Sequence, residues 1–317
     1  MKILLSLVLV IALAFISLLI GVGDMSLSVM IGKAAGDEHL ILLASRVPRT
    51  LALLLAGAGM AVSGTIMQML ARNKFVEPST AGTVESATLG ILMVLIFAPG
   101  LSVIGKMAVA TLFALTGTAL FLAILQRIPL RSALIVPLVG IMLGGVISAV
   151  TTFFAYRTDL LQALGAWTVG DFSAVLRGRY ELLWLSLALT IAAYIAADRF
   201  TVAGMGETFT TNLGLNYKRV MLVGLVIVSM VTACIVVTVG IVPFLGLIVP
   251  NVVSMIMGDN MRRSLPWIAL SGAGLVLVCD IIGRLLIFPY EIPVSAILGV
   301  FGSVFFLYIV LRKNAHA

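Results

Sequence analysis

The sequence predicts an all-α polytopic membrane protein with about ten transmembrane helices. Of its 317 residues, 62% are hydrophobic and only 10% are charged, and the mean hydropathy is +1.22. A soluble domain carries about a quarter charged residues and about half apolar ones. Because no soluble fold of this length could enclose so much apolar surface, lipid must surround most of it. The second observation is that apolar runs close to membrane length recur along the whole chain.

Each apolar run is interpreted as one membrane span. Helices of about 20 apolar residues cross a bilayer, and shorter ones can do so when neighbours enclose them. The eighth run is too short to cross lipid alone and should be enclosed by other helices. The first run is longer than a signal-peptide core and precedes no small-x-small cleavage site, so we expect it to be retained. The expected spans lie near residues 3–22, 48–70, 81–98, 107–126, 133–156, 180–197, 220–240, 248–258, 266–287 and 295–311.

The distribution of basic residues predicts the orientation in the membrane. An even number of spans puts both termini on one side. Cytoplasmic termini would place twelve Lys and Arg residues in inner regions and eight in outer ones, which the positive-inside rule favours. The same rule accounts for most of the net charge of +7, since no basic stripe interleaved with aromatic residues suggests nucleic acid. We therefore predict a multi-pass protein of the cytoplasmic (inner) membrane with both termini in the cytoplasm.

The sequence contains no motif typical of an enzyme. It has two His residues and neither an HExxH zinc motif nor a GxSxG nucleophile elbow. The stretch from Gly100 to Lys106 imitates a phosphate-binding loop, but Met107 stands where Ser or Thr would hold Mg²⁺. We therefore expect no catalytic residues, cofactor or metal in this chain, and any ATP hydrolysis on a separate subunit.

Within the spans, small and charged residues carry most of the remaining information. Asp280 and Arg284 lie four apart near the end of the ninth span, so they share a helix face and could pair. Small residues at helical spacing, such as Gly59 and Ser63, predict close helix packing. The spans carry no chain of Asp, Glu and His residues, which argues against a proton-coupled carrier. A secondary carrier or channel for a small solute, independent of ATP, stays the alternative.

Short motifs follow one another along the chain at 45–50, 57–64, 67–68, 72–78, 81–82, 212–215, 218–219, 240–251, 263, 265–266, 279–280, 284, 291–293 and 302–307. Taken together and in order, they resemble the iron-chelate (FecCD-type) permease family of ABC importers, which includes the cobalamin permease. Two positions depart from the family pattern, since Lys74 stands where Pro is usual and Asn251 where His is usual. The segments Arg72–Pro78 and Phe288–Glu291 resemble the branch that serves catecholate-type siderophores, including petrobactin permeases.

The resemblance implies an architecture and a set of partners. The fold would be that of a type II ABC importer permease, with spans two to five and seven to ten as inverted halves of one transmembrane permease domain over residues 1–317. The partners would be a second permease subunit (related or identical), two cytoplasmic ATPase subunits and an outer substrate-binding protein. The function implied is ATP-driven import of ferric-siderophore complexes.

The same resemblance assigns roles to individual residues. It implies that Arg46, Arg49 and Arg284 dock the binding protein at the outer face. It implies a cytoplasmic coupling segment at about residues 198–219, which meets the ATPase and contains two short helices broken by Gly214. Within that segment the matching residues are Gly206, Glu207, Leu213 and Gly214, and the inner gate matches Asn73 and Ser132.

Overall fold

The computed structural model describes residues 2–21, 37–128 and 135–314, and these are mainly helical. A π-helical turn at Leu42–Arg46 leads into the third helix, and a 3₁₀ turn at Pro78–Thr80 precedes the fourth. The α-helices are α1 (Lys2–Leu19), α2 (Asp37–Ile41), α3 (Val47–Leu70), α4 (Thr83–Phe97), α5 (Val103–Arg127), α6 (Ile135–Arg157), α7 (Leu161–Thr168), α8 (Leu183–Ile195), α9 (Ala197–Gly204), α10 (Glu207–Asn212), α11 (Tyr217–Val239), α12 (Leu245–Met257), α13 (Met261–Leu286) and α14 (Val294–Asn314).

The helices coincide with the predicted spans. Five are long and apolar enough to cross a membrane: the helix over His39–Leu70 that contains α3, together with α5, α6, α11 and α13. Helices α8 and α9 pass the same test together but are bent by 65° at their junction. The shorter apolar helices α1, α4, α12 and α14 stand where the remaining spans were expected. The predicted all-α polytopic fold is therefore confirmed.

The second span begins earlier than predicted. Helical structure runs from Asp37 into α3 through the π-helical turn, whereas the second span was expected to begin near residue 48. The reason is the way the chain accommodates Pro48, which has no N–H to donate to the carbonyl four residues before it. The Ala44 carbonyl instead accepts a hydrogen bond of 3.0 Å from the backbone N–H of Arg177. With that carbonyl satisfied from outside, the helix continues through the proline.

Helix α3 forms the centre of the bundle and packs against α8, α11, α12 and α13. Small residues make these approaches close, as predicted. A Cβ on Gly64 would lie 2.1 Å from the carbonyl oxygen of Gly246, and one on Gly57 would lie 2.7 Å from that of Gly272. A Cβ on Gly59 would lie 2.2 Å from the Ser186 hydroxyl. Helix α3 is thus held by close backbone-to-backbone contact at Gly57 and Gly64.

Two features of the structure correspond between the expected halves, α3–α6 and α11–α14. Helix α3 of the first half packs on α13 of the second, and α11 correspondingly packs on α5. The short helices α4 and α12 each begin after a left-handed residue, Gly82 with φ 75° and Phe244 with φ 62°. Each of these residues closely follows a proline, Pro78 or Pro243. This correspondence is that of the expected inverted repeat.

Helix α12, the short eighth span, is enclosed as its length requires. Its 13 residues rise only about 20 Å, less than the hydrocarbon thickness of about 30 Å. Every residue from Leu245 to Asn251 is buried, whereas Met255 and Ile256 near its end are exposed. The enclosed part faces α3, α13 and α14.

Candidate functional site

Charged side chains gather at the two ends of the antiparallel pair α3 and α13. Arg49, near the start of α3, meets Asp280 near the end of α13, while Lys74, just beyond α3, meets Asp259 just before α13. The 24 residues of α3 rise about 36 Å, slightly more than the hydrocarbon thickness of about 30 Å. The two sites therefore lie at opposite membrane interfaces.

The arginine cluster (Arg46, Arg49 and Arg284 with Asp280 and Glu291) occupies one of these ends. Arg49 donates to Asp280 at 2.7 Å and to Glu291 at 2.8 Å, and Arg284 pairs with the second oxygen of Asp280. The Asp280 side chain is completely buried, whereas that of Glu291 is 28% exposed. The predicted pairing of Asp280 with Arg284 is therefore confirmed.

Two members of the cluster also bind the C-terminal end of α1. The last carbonyls of a helix have no partner within it and carry partial negative charge, so a guanidinium is a suitable cap. Arg46 donates to the carbonyls of Leu18 and Leu19, both at 3.0 Å. Arg284 donates to those of Ser17 at 2.9 Å and Ile20 at 2.7 Å. The arginines thus join α1 to α3 and α13.

The three predicted docking residues are therefore brought together, and each has partners within the chain. Arg46 and Arg284 are 8% and 5% exposed as whole residues. Sequence reasoning found the Asp280–Arg284 pair from its spacing of four. It missed the contact of Arg49 with Asp280 and Glu291, which are 231 and 242 residues away and give no signal in spacing.

The opposite end carries the predicted inner-gate residue Asn73. After α3 the chain reverses at Arg72, whose φ of 47° is left-handed. The Asn73 side-chain oxygen then accepts from the N–H of Phe75 at 2.8 Å, and its backbone N–H donates to the Gln68 carbonyl at 2.9 Å. Asn73 is 8% exposed. Ser132, the second predicted gate residue, lies outside the described residues.

Beside Asn73 lies a cavity of about 320 Å³, lined by both apolar and polar side chains. One side of it is formed by Gly204 and Met205, at the end of α9. The cavity therefore separates the predicted gate residue from the predicted coupling segment. Its polar lining includes Gln68, Asn73, Lys74, Thr201, Ser254 and Asp259.

The predicted coupling segment consists of α9, α10 and the turns around them. The break between its two short helices falls at Gly206 (φ 111°) and not at Gly214 as expected. Gly214 (φ 77°) instead ends α10 and leads into α11. The buried Thr210 hydroxyl donates to the carbonyls of Gly206 at 2.6 Å and Val202 at 3.1 Å, which fixes α10 against α9.

This segment presents an apolar surface, which we name the apolar knob: Met205, Phe209 and Leu213. Their exposed fractions are 60%, 48% and 57%. Phe209 and Leu213 are one helical turn apart on α10, and Met205 lies in the turn just before it. Glu207 lies beside them and is also exposed. A contiguous apolar patch rimmed by polar residues is typical of a protein interaction site.

Comparison with known proteins places this architecture in a family. The model of the FecCD transport family matches residues 4–312. The chain is 50% identical over 310 residues to the petrobactin import system permease protein YclN of Bacillus subtilis (strain 168), covering 98% of both chains. It is 44% identical over 309 residues to the petrobactin import system permease protein FatD of Bacillus anthracis, covering 98% of this chain and 90% of that one.

A solved structure agrees with this. An inward-facing conformation of a metal-chelate type ABC transporter superposes with a TM-score of 0.81 at 25% identity, covering 98% of this chain and 99% of that one. The family match spans nearly the whole sequence and the structural match nearly the whole fold. The predicted resemblance is therefore confirmed, and the chain belongs to the FecCD transport family of membrane permeases.

Proposed function

We propose that this chain is the transmembrane permease subunit of an ATP-driven importer that moves ferric-siderophore complexes across the cytoplasmic membrane. The observation that carries the proposal is the 50% identity, over 98% of both chains, to a petrobactin permease. Petrobactin-like catecholate siderophores are accordingly the substrate class. The chain makes and breaks no covalent bond, and residues 1–317 form one permease domain.

ATP hydrolysis is assigned to two cytoplasmic ATPase subunits, which bind the coupling segment. The apolar knob supports this assignment, because Phe209 and Leu213 would otherwise expose large apolar side chains to water. Gly206 and Gly214 supply the left-handed turns that present α10, and Glu207 offers a charge to the partner. Since Thr210 fixes α10 to α9, ATPase closure reaches the bundle as a rigid movement.

The orientation follows from this assignment. With the coupling segment in the cytoplasm, Asn73 lies at the inner gate, a role that we also propose for Ser132, and both termini are cytoplasmic. The arginine cluster then faces outward, where an acidic surface of a substrate-binding protein docks on Arg46, Arg49 and Arg284. Arg49 and Glu291 are the nearest to the surface, whereas Arg46 and Arg284 act mainly by holding α1 in place. Such charges fix register and accelerate encounter more than they add affinity.

A second permease subunit, related or identical, completes the pathway. Helix α6 supports this, because it packs mainly on α4 and leaves much of its apolar surface exposed. Leu138, Ile141, Met142 and Val146 are each more than half exposed. Lipid and a second permease subunit together cover this face, and the chelate passes between the two subunits.

Uptake by cells lacking the chain tests the proposal. Iron-limited cells deleted for it should stop accumulating radioactive iron supplied as ferric petrobactin, and a plasmid copy should restore uptake. An ATPase partner disabled in its phosphate-binding loop should abolish uptake at unchanged permease expression. Accumulation that persists without ATP hydrolysis but collapses with the ion gradients would favour the secondary carrier instead.

A further inference from the structure

The two positions that depart from the family pattern, Lys74 and Asn251, are in contact with each other. The Asn251 amide donates a hydrogen bond of 2.8 Å to the Lys74 carbonyl. We infer that Lys74, Asn251 and Asp259 are positioning residues for the inner gate, forming a latch that holds the segment bearing Asn73 against α12. The effect of the latch on transport rests on the proposed function. The contacts that form the latch do not depend on it.

The latch joins the segment after α3 to the end of α12 and the turn that follows it. The Lys74 ammonium lies 2.9 Å from the Asp259 carboxylate and 3.1 Å from the Ser254 hydroxyl. Ser254 also donates to Asp259. Partial burial alone would raise the pKa of Asp259, but these hydrogen bonds and the Lys74 charge outweigh it and lower the pKa. The carboxylate is therefore charged at neutral pH.

The same segment is fixed a second time, at the start of α12. Glu77 is completely buried, and its carboxylate accepts from the Phe244 N–H at 2.8 Å and the Ser79 hydroxyl at 2.5 Å. Phe244 is the residue from which α12 begins. Residues 74–77 therefore run along α12, with Lys74 attached near the end of the helix and Glu77 attached at its start. Asn73 immediately precedes Lys74.

The two attachments differ in how easily they can be released. The side chains of Lys74 and Asp259 are 54% and 56% exposed, so water and salt compete for their charges. Glu77 is shielded from solvent, so water does not compete for its hydrogen bonds to the Phe244 N–H and the Ser79 hydroxyl. Glu77 is thus a fixed anchor, and the Lys74 latch is the part that opens.

The position of the latch connects it to the coupling segment. Lys74 and Asp259 line the cavity beside Asn73, whose other side is Gly204 and Met205. Arg72 packs against Gly206. A Cβ built on that glycine would lie 3.2 Å from a guanidinium nitrogen of Arg72. Movement of the coupling segment therefore reaches the segment bearing Asn73 through direct contact, and opening the latch lets that segment follow.

The rate at which a thiol in the cavity reacts tests the latch without transport. Thr65 lines the cavity and is 4% exposed. In Thr65→Cys protein purified in detergent with its membrane partners, Lys74→Gln or Asp259→Asn should raise the rate of maleimide labelling about two- to fivefold, the shift expected from losing an exposed ion pair. Raising the salt from 0.05 to 0.5 M should increase the labelling rate of Thr65→Cys protein that keeps Lys74 and Asp259. It should not do so in protein that also carries Lys74→Gln. Protein without Thr65→Cys gives the background, since Cys234 and Cys279 are buried.

Arg262→Gln is the matched control, because Arg262 forms an exposed ion pair with Asp198 at 2.6 Å that does not involve the 72–78 segment. The exchange Lys74→Asp with Asp259→Lys should return the labelling rate toward the original value. Lys74→Arg alone keeps the charge and should leave the rate close to that value. Unchanged labelling in Lys74→Gln, no restoration by the exchange, or an equal effect of Arg262→Gln would overturn the latch. If the substrate class is wrong, siderophore uptake is absent while the labelling differences remain. If the latch is wrong, uptake remains and the labelling differences vanish.

Discussion

Replacing Asp280 by asparagine should destabilise the protein far more than replacing Glu291 by glutamine, although both contact Arg49. Asp280 is completely buried and receives two guanidinium groups, those of Arg49 and Arg284. Asparagine keeps the shape and one acceptor oxygen but removes the charge. Two arginines would then share a poorly hydrated site without a buried counter-ion.

The expected magnitudes follow from burial. Removing one partner of a buried pair costs about 3 to 5 kcal/mol, because the remaining charge stays desolvated. The asparagine oxygen still accepts a hydrogen bond, so Asp280→Asn should lower the free energy of unfolding by about 3 kcal/mol. Glu291 is 28% exposed, and water can replace it, so Glu291→Gln should cost no more than about 1 kcal/mol.

Unfolding in mixed detergent micelles with increasing denaturant measures this difference. Asp280→Asn should lower the transition midpoint clearly, and the loosened end of α1 should become susceptible to protease near Gly21. Asp198→Asn, which removes an exposed carboxylate at the other end of the bundle, should change little. If Asp280→Asn and Glu291→Gln have equal effects, the arginine cluster does not hold α1 in place, and its residues act only in docking.

Three further outcomes are expected. A cysteine introduced at exposed Thr158 should react with an impermeant thiol reagent in intact cells and one at exposed Thr211 only after lysis; the reverse pattern would invert the orientation. Phe209→Asp should abolish uptake and binding of the ATPase at normal expression, because it places a charge in the apolar knob; full ATPase binding would exclude this surface. Gly64→Ala should reduce folded yield severely, since its Cβ would lie 2.1 Å from a backbone oxygen, whereas Gly145→Ala, with open space around it, should be tolerated; equal yields would contradict the helix contact.

Much of the fold could be predicted because lipid imposes a simple rule on the sequence. Each apolar run must satisfy its own backbone, so run length and position indicate helices directly. The short run around Asn251 could be recognised as enclosed for the same reason. The start of the second span could not be found, because the acceptor that Pro48 leaves open is satisfied by Arg177, more than a hundred residues away.

The candidate site was only partly predictable. Asp280 and Arg284 share a helix face, so their pairing follows from a spacing of four. The contacts Arg49–Glu291 and Lys74–Asp259 depend on how α3 and α13 pack, and no local pattern encodes them. Glu77 in particular gave no indication that it would be completely buried beside Phe244, since an isolated Glu in a connecting segment is usually solvated.

Transport by the purified system tests the proposed function most directly. Liposomes containing the permease and its ATPase partner, supplied with ATP on the ATPase side and the loaded binding protein on the other, should accumulate ferric petrobactin. Omitting either ATP or the binding protein should stop accumulation, and collapsing the ion gradients should not. Accumulation without ATP, driven by an imposed proton or sodium gradient, would contradict the ATP-driven importer and establish a secondary carrier.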